Sequence, residues 1–126
     1  MSDGDHATVL YVMTHGVDDP KRCATPFYLA ATAAAMDAEV SIYFTMNGPT
    51  LLRRGAGEQI GPKGPDGEQL KHFIDQALDC GVKLLVCQPS LDLNDLTLDD
   101  LIDGVRMIGG AAFNDMAIDA DAVITF

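Results

Sequence analysis

Apolar and polar positions divide the chain into short β-rich runs and longer stretches with helical periodicity. Five runs of strand type occur: "ATVLYVMT", "EVSIYFTM", "VKLLV", "VRMIGG" and "DAVITF". The first of these is nearly all apolar, which is typical of a strand buried on both faces of a parallel sheet. The pattern therefore predicts five strands spread over the whole sequence.

The segments between these runs carry helix signals. In "EQLKHFIDQALDCG", five apolar residues recur at the spacing of one buried helical face: Leu70, Phe73, Ile74, Ala77 and Leu78. Asp19 and Pro20 have the residue types found where helices begin, and the Ala-rich sequence after them predicts a helix that continues to about Asp37. "AAFNDMAIDA" predicts another helix between the last two strands.

Two connections have less regular signals. Thr97 and Asp100 have the spacing of a capping box, which predicts a short helix. The stretch from Gly48 to Gly67 is rich in Gly and Pro, which predicts a helical turn over residues 50–54 followed by a mobile loop, either a solvated connection or a lid over a site. Neither phosphate-binding glycine motif occurs in this stretch, and no cofactor is predicted.

Strands that alternate with helices imply a parallel sheet, because parallel strands need crossover connections. We therefore expect an α/β fold, a three-layer α/β/α sandwich with a five-stranded, mainly parallel sheet. A chain of 126 residues without an internal repeat or a dividing linker predicts one domain over residues 1–126. Periodicity does not determine the strand order.

Charge and composition narrow the function classes. The net charge is −11, from 19 acidic and 8 basic residues, and such a field disfavours nucleic acid and anionic membranes as partners. No apolar run approaches the roughly 20 residues that a membrane helix needs, and "MSDGDHATV" lacks the features of an export signal. We therefore expect a cytoplasmic protein with reduced thiols.

In a parallel α/β sheet, ligands bind outside the carboxyl ends of the strands. The residues in these positions form what we call the strand-end rim: 14–16, 46–48, 87–90 and 109–110. Cys87 lies on this rim, where backbone amides of the following turn could stabilise a thiolate, although a buried inert cysteine fits the same position. His15, Asn47 and Ser90 on the rim, with Cys23 near it, are possible supporting residues.

Other candidate chemistry finds less support. Cys80, beside Gly81 at a helix end, is expected to have a packing role. No Cys pair has the C-x-x-C spacing, and no set of His, Cys and Asp residues has the spacing of metal ligands, so no metal is predicted. A reactive thiol at Cys87 is the chemistry that the rim favours.

Several motifs together give a family resemblance. The Gly-Val-Asp-Asp-Pro turn after the first strand, "NGPTLLRRG", the Cys after the third strand, "LTLDDLIDGVRMIGGAAF" and "ADAVITF" resemble the DsrE/DsrF-like family, which includes the TusD-type sulfur-relay subunits. The resemblance covers almost the whole chain. It implies a sulfurtransferase-type protein in which Cys87 carries sulfane sulfur as a persulfide and passes it to a partner thiol.

The resemblance also implies partners. Members assemble into homotrimers, homohexamers or hetero-oligomers of related subunits, and sulfur donor and acceptor proteins are expected. Ser90 stands where many relatives have a second cysteine, and Asn94-Asp95 stands in place of a common Arg-Gly pair. Two alternatives stay open: a small-ligand or regulatory binding module that uses the same rim, and a thiol redox protein that pairs Cys87 with Cys23.

Overall fold

The computed structural model describes residues 6–126 and has a five-stranded sheet with the strand order β4-β3-β2-β1-β5. The strands are β1 Thr8–Met13, β2 Glu39–Phe44, β3 Lys83–Val86, β4 Val105–Met107 and β5 Ala122–Thr125. All four neighbouring pairs are parallel. The predicted parallel α/β sheet is confirmed, and β2 lies at its centre.

The helices are α1 Thr25–Ala35, α2 Ala56–Gln59, α3 Leu70–Asp79, α4 Gln88–Leu93 and α5 Gly110–Asp119. Four 3-10 turns accompany them at Pro20–Arg22, Gly48–Leu52, Gly64–Asp66 and Leu98–Asp100. No helix in this part of the chain is both long enough and apolar enough to cross a bilayer.

The first helix differs from the prediction. It begins at Thr25, and Pro20 instead opens a separate 3-10 turn. A helix from Pro20 would place Pro26 in its interior, where proline removes a hydrogen bond and clashes with the preceding turn. With the start at Thr25, Pro26 lies in the first turn, where the missing N–H has no intrahelical partner in any case.

The connections also differ in detail. The capping box of Thr97 and Asp100 is present, but it closes one 3-10 turn rather than a helix. The stretch expected to be a loop after residue 54 contains α2, which packs against α3 so closely that Gly57 faces Lys71. The turn expected after Cys87 is the start of helix α4.

The two faces of the sheet have different cores. Met13, Ile42 and Val86 belong to a large cluster that α1 and α3 cover. Leu10, Val12, Tyr43, Leu85 and Cys87 form a smaller cluster on the other face, against α5. The connections from β1 to β2, β2 to β3 and β3 to β4 each lead to the next strand in the same direction across the sheet, and they lie on one face. The connection from β4 to β5 runs in the opposite direction and lies on the other face. Right-handed connections require this arrangement.

Candidate functional site around Cys87

Cys87 follows β3 directly, and its backbone is still extended while α4 begins at the next residue. Side chains of a strand alternate between faces, so Cys87 shares the α5 face of the sheet with Leu85. The residue is 8% exposed. The sulfur is therefore held at the carboxyl edge of the sheet, mostly covered but next to the rim.

Ser90 is the partner that the structure brings to Cys87. Its hydroxyl oxygen lies 3.0 Å from the Cys87 sulfur and 3.0 Å from the hydroxyl of Thr45, and it accepts the Met46 N–H at 3.2 Å. A thiolate can only accept hydrogen bonds. When Cys87 is ionised, Ser90 is therefore the donor to the sulfur.

The environment lowers the pKa of the Cys87 thiol. Burial acts most strongly and raises this pKa, but the hydroxyls of Ser90, Tyr43 and Thr45 and the backbone amide of Ser90 together outweigh it. Hydrogen bonds to the charged form of a group favour that form. The site thus stabilises a thiolate with neutral donors, without a cationic partner.

Tyr43 and Thr45 complete what we call the hydroxyl cradle, which consists of Tyr43, Thr45 and Ser90. Tyr43 is the fifth residue of β2, and Thr45 follows this strand directly. Both hydroxyls therefore come from the strand beside β3 and its end. Sequence analysis missed both residues. Their alternation in "YFT" puts the two hydroxyls on one face, but their nearness to Cys87 depends on the strand order, which the sequence did not determine.

His15 and Asn47 do not join the cradle. His15 follows β1, and β2 separates that strand from β3, a distance of roughly 10 Å at the usual spacing of neighbouring strands. Its Nδ1 lies 3.2 Å from the Thr14 hydroxyl. Asn47 donates to Asp18 at 3.3 Å and so links the loops after β1 and β2. Both residues lie on the predicted rim, but the structure gives neither one a contact with Cys87.

The other two cysteines are far from this chemistry. Cys23 is fully buried in the cluster on the opposite face of the sheet, and burial raises its pKa to about 11. Cys80 caps the carboxyl end of α3 and is exposed. A disulfide between Cys87 and Cys23 would have to pass through the sheet, which argues against the redox alternative.

Asn94 is a third residue that the sequence pattern did not assign to the site. Its side-chain amide donates to the carbonyl of Met46 and to that of Ser90, both at 2.7 Å. These bonds fasten the end of α4 to the loop after β2. Asn94 therefore ties Ser90 to Met46. It lies four residues after Ser90, the spacing of neighbours on a helix, and this spacing is the sequence signal that could have indicated the contact.

An open cavity of about 920 Å³ lies away from Cys87, between Asp19–Lys21 and the stretch from Glu58 to Gln69. None of the cradle residues lines it. Within residues 6–126, no group of three or more His, Cys, Asp or Glu side chains is arranged to hold a metal ion. The chemistry near the rim is thus concentrated on one thiol and its hydroxyl donors.

Comparison with known proteins supports the resemblance seen in the sequence. The model of the DsrE/DsrF-like family matches residues 7–126. The chain belongs to this family. DsrE2 from Allochromatium vinosum, named a sulfur carrier protein, is 28% identical over 137 aligned positions that cover 76% of this chain and 84% of that protein. Sulfur relay is thus a function found in the DsrE/DsrF-like family.

Other relatives extend the family comparison. The uncharacterized protein MJ0760 of Methanocaldococcus jannaschii is 24% identical over 81% of this chain, which spans only 36% of that protein. The ychN protein from E. coli superposes with a TM-score of 0.76 at 17% identity, over 96% of this chain and 99% of that one. MTH1491 from Methanobacterium thermoautotrophicum, of unknown function, gives 0.71 at 17% identity, over 97% and 100% of the chains. The DsrE-like fold is therefore shared.

Proposed function

We propose that this protein is a sulfur carrier in which Cys87 accepts sulfane sulfur as a persulfide and passes it to a thiol of a partner protein. The observation that carries this proposal is the Ser90 hydroxyl 3.0 Å from the Cys87 sulfur, in surroundings that lower the pKa of that thiol. The thiolate is the nucleophilic form of cysteine. A buried inert cysteine has no comparable need for donors aimed at its sulfur.

The proposed reaction has two steps. The Cys87 thiolate attacks the outer sulfur of a donor persulfide, the donor's S–S bond breaks, and the donor leaves as a thiolate. A thiolate of the acceptor then attacks the outer sulfur on Cys87, and Cys87 leaves as a thiolate. The transferred sulfur keeps its oxidation state throughout, so the cycle needs no external oxidant, reductant or cofactor.

The burial of the Cys87 sulfur restricts how an exchange partner can reach it. Because the sulfur is largely covered by the sheet and α5, an acceptor thiol has to approach across the strand-end rim. A disulfide mechanism within the subunit is disfavoured because Cys23 lies on the other face. We therefore propose separate donor and acceptor proteins, each of which presents its own thiol or persulfide.

We also propose that the protein acts as a homotrimer or homohexamer. The segment from β4 to β5 is the least buried part of the described chain: α5 has no fully buried residue, and all of β5 is exposed. Ile118 on α5 is 80% exposed, and Val123 and Ile124 follow on β5. Apolar side chains concentrated on neighbouring elements are typical of an interface, and a second copy of this chain is the occupant we propose.

Sulfur transfer can be tested by intact mass after incubation with polysulfide, followed by peptide mapping. We expect one added sulfur on Cys87, removable by dithiothreitol, and no uptake by Cys87→Ser. Cys80→Ser is the matched control, because it removes a more exposed thiol and should retain uptake. Equal uptake by Cys87→Ser, or sulfur mapped to Cys80, would refute the proposal and leave the binding-module alternative.

A further inference from the structure

The side chain of Tyr43 has a more specific position than a core residue needs. Tyr43 pairs with Leu85 across β2 and β3, and Leu85 precedes Cys87 by two residues on the same face. Strand side chains stand on the sheet and lean along it. The tyrosine ring is therefore in the row of side chains next to the sulfur, in the same buried cluster.

Phe113 of α5 holds the Tyr43 ring in place. The two ring centroids are 4.2 Å apart with an interplanar angle of 33°, so the rings are in direct contact. Tyr43 is 7% exposed, so its ring has little freedom to turn away. The position of its hydroxyl is thus determined by the sheet on one side and by α5 on the other.

The hydroxyl of Tyr43 and the sulfur of Cys87 act on each other. The hydrogen bond between them lowers the pKa of Cys87. The pKa of Tyr43 is raised, chiefly by burial and then by the hydrogen bond to Cys87 and the charge of Cys87. A phenol with a raised pKa stays protonated at neutral pH, so it can only be the donor towards a thiolate. Ser90 donates to the same sulfur from α4.

We propose that Tyr43 is a catalytic residue whose hydroxyl, by donating a hydrogen bond to the Cys87 sulfur, makes that sulfur a good leaving group when the persulfide is discharged. This role of Tyr43 rests on the proposed sulfur-carrier function and concerns the step in which sulfur leaves Cys87. The hydroxyl stabilises the thiolate that appears when the acceptor removes the outer sulfur.

The two half-reactions depend differently on this hydrogen bond. During persulfide formation, Cys87 is the nucleophile, and a lower pKa increases the thiolate fraction but weakens each thiolate as a nucleophile. During discharge, Cys87 is the leaving group, and a lower pKa only helps. Loss of the Tyr43 hydroxyl should therefore slow discharge more than it slows formation of the persulfide.

One charged residue shares this face of the sheet. Arg106 of β4 pairs with Leu85, but it is exposed and does not contribute to the lowered pKa of Cys87. The side chains of α5 and its flanks that pack against the cluster are uncharged: Ile108, Phe113, Met116, Ala117 and Ala120. On α4, Gln88 donates to Asp92 at 3.0 Å on the exposed side. Tyr43 is the titratable group that lowers the pKa of Cys87, so a changed pH profile in a Tyr43 variant reports on this contact.

The test measures discharge of the persulfide to cyanide in a single turnover. Cyanide attacks the outer sulfur, thiocyanate forms, and Cys87 leaves as a thiolate, so no protein partner is needed. We expect Tyr43→Phe to form the persulfide yet release thiocyanate about 3- to 10-fold more slowly than the wild type. The Cys87 alkylation profile of this variant should also move to higher pH.

Tyr11→Phe is the matched control. It removes a second mostly buried tyrosine hydroxyl, which bonds the Leu29 carbonyl at 3.3 Å on the opposite face, and it should leave both readouts unchanged. Should Tyr43→Phe fold poorly, 3,5-difluorotyrosine at position 43 keeps the ring and strengthens the donor, and it should speed discharge. Unchanged discharge with either replacement would overturn the role of Tyr43 while leaving sulfur transfer intact. Absence of persulfide in the wild type would instead refute the carrier function itself, and the discharge role with it.

Discussion

The hydroxyl of Ser90 lies one helical turn beyond Cys87 and 3.0 Å from its sulfur. This pair is formed because Cys87 is the last extended residue before α4, so the first turn of the helix returns Ser90 to it. The thiol thus receives its closest donor from local sequence, and the other two hydroxyls from the neighbouring strand.

Replacement of Ser90 by Ala should make Cys87 less reactive. The change removes a donor that favours the thiolate, so the Cys87 pKa rises and less thiolate is present at any given pH. We expect alkylation of Cys87 by iodoacetamide to slow about 3- to 10-fold at neutral pH. Ser41→Ala, at the other buried serine, is the control and should react as the wild type does. Equal rates for Ser90→Ala and the wild type would show that the hydroxyl does not act on the sulfur.

The pH dependence of alkylation should distinguish the cysteines. The Cys87 pKa is lowered, so the rate of Cys87 alkylation should reach its plateau at a lower pH than the alkylation rate of N-acetylcysteine, measured in parallel. Cys23 has a pKa of about 11 and no exposed surface, so it should stay unmodified through neutral pH until the protein unfolds. Peptide mapping across a pH series measures both. If Cys87 reaches its plateau at the same pH as the free thiol or at a higher one, the proposed stabilisation of the thiolate is wrong.

Gly16 should not tolerate a side chain. A Cβ at this position would lie 2.2 Å from the Asn47 carbonyl oxygen and 2.2 Å from the Thr50 hydroxyl, because the loops after β1 and β2 approach closely. We expect Gly16→Ala to lower the free energy of unfolding by about 1–3 kcal/mol, measured by urea denaturation. Gly110→Ala is the control: its Cβ would meet open space at the start of α5, and stability should be unchanged or slightly higher. Equal stability of the two variants would mean that the loops can separate freely.

Assembly should depend on the exposed apolar residues of the β4–β5 segment. We expect light scattering to report a trimer or hexamer at micromolar concentration, and Ile118→Glu to shift it towards the monomer. Met36→Glu is matched in exposure, 76% against 80% for Ile118, but it lies at the end of α1 and should leave the assembly intact. A monomeric wild type, or assemblies that resist Ile118→Glu, would mean that α5 does not form the contact.

Local signals were enough to predict the sheet and most helices, and the exceptions have physical causes. The six residues of α4, "QPSLDL", are too short for a helical period to be visible, and the proline in their second position suggests a turn as readily as a first helical turn. The start of α1 depended on which of two prolines opens the helix, and Pro26 decides it because a helix from Pro20 would have this proline in its interior.

The site was predictable only in its local part. Cys87 and Ser90 are three residues apart, so sequence alone could pair them. Tyr43 reaches Cys87 because β2 and β3 are neighbours with Tyr43 in register with Leu85, and His15 fails to reach it because β2 intervenes. Strand order decides both facts, and hydrophobic periodicity carries no information about strand order.

The strand order also determines when each strand finds its neighbour during translation. β5 pairs with β1, and the Thr8 amide bonds the Asp121 carboxylate 113 residues further along the chain. One edge of β1 therefore stays unpaired on the ribosome when β1 to β4 are already made and β5 is not. Phe113, which covers Tyr43 beside the reactive thiol, emerges just before β5. The α5 cover over Tyr43 can therefore form only after Cys87 and the whole hydroxyl cradle have been synthesised.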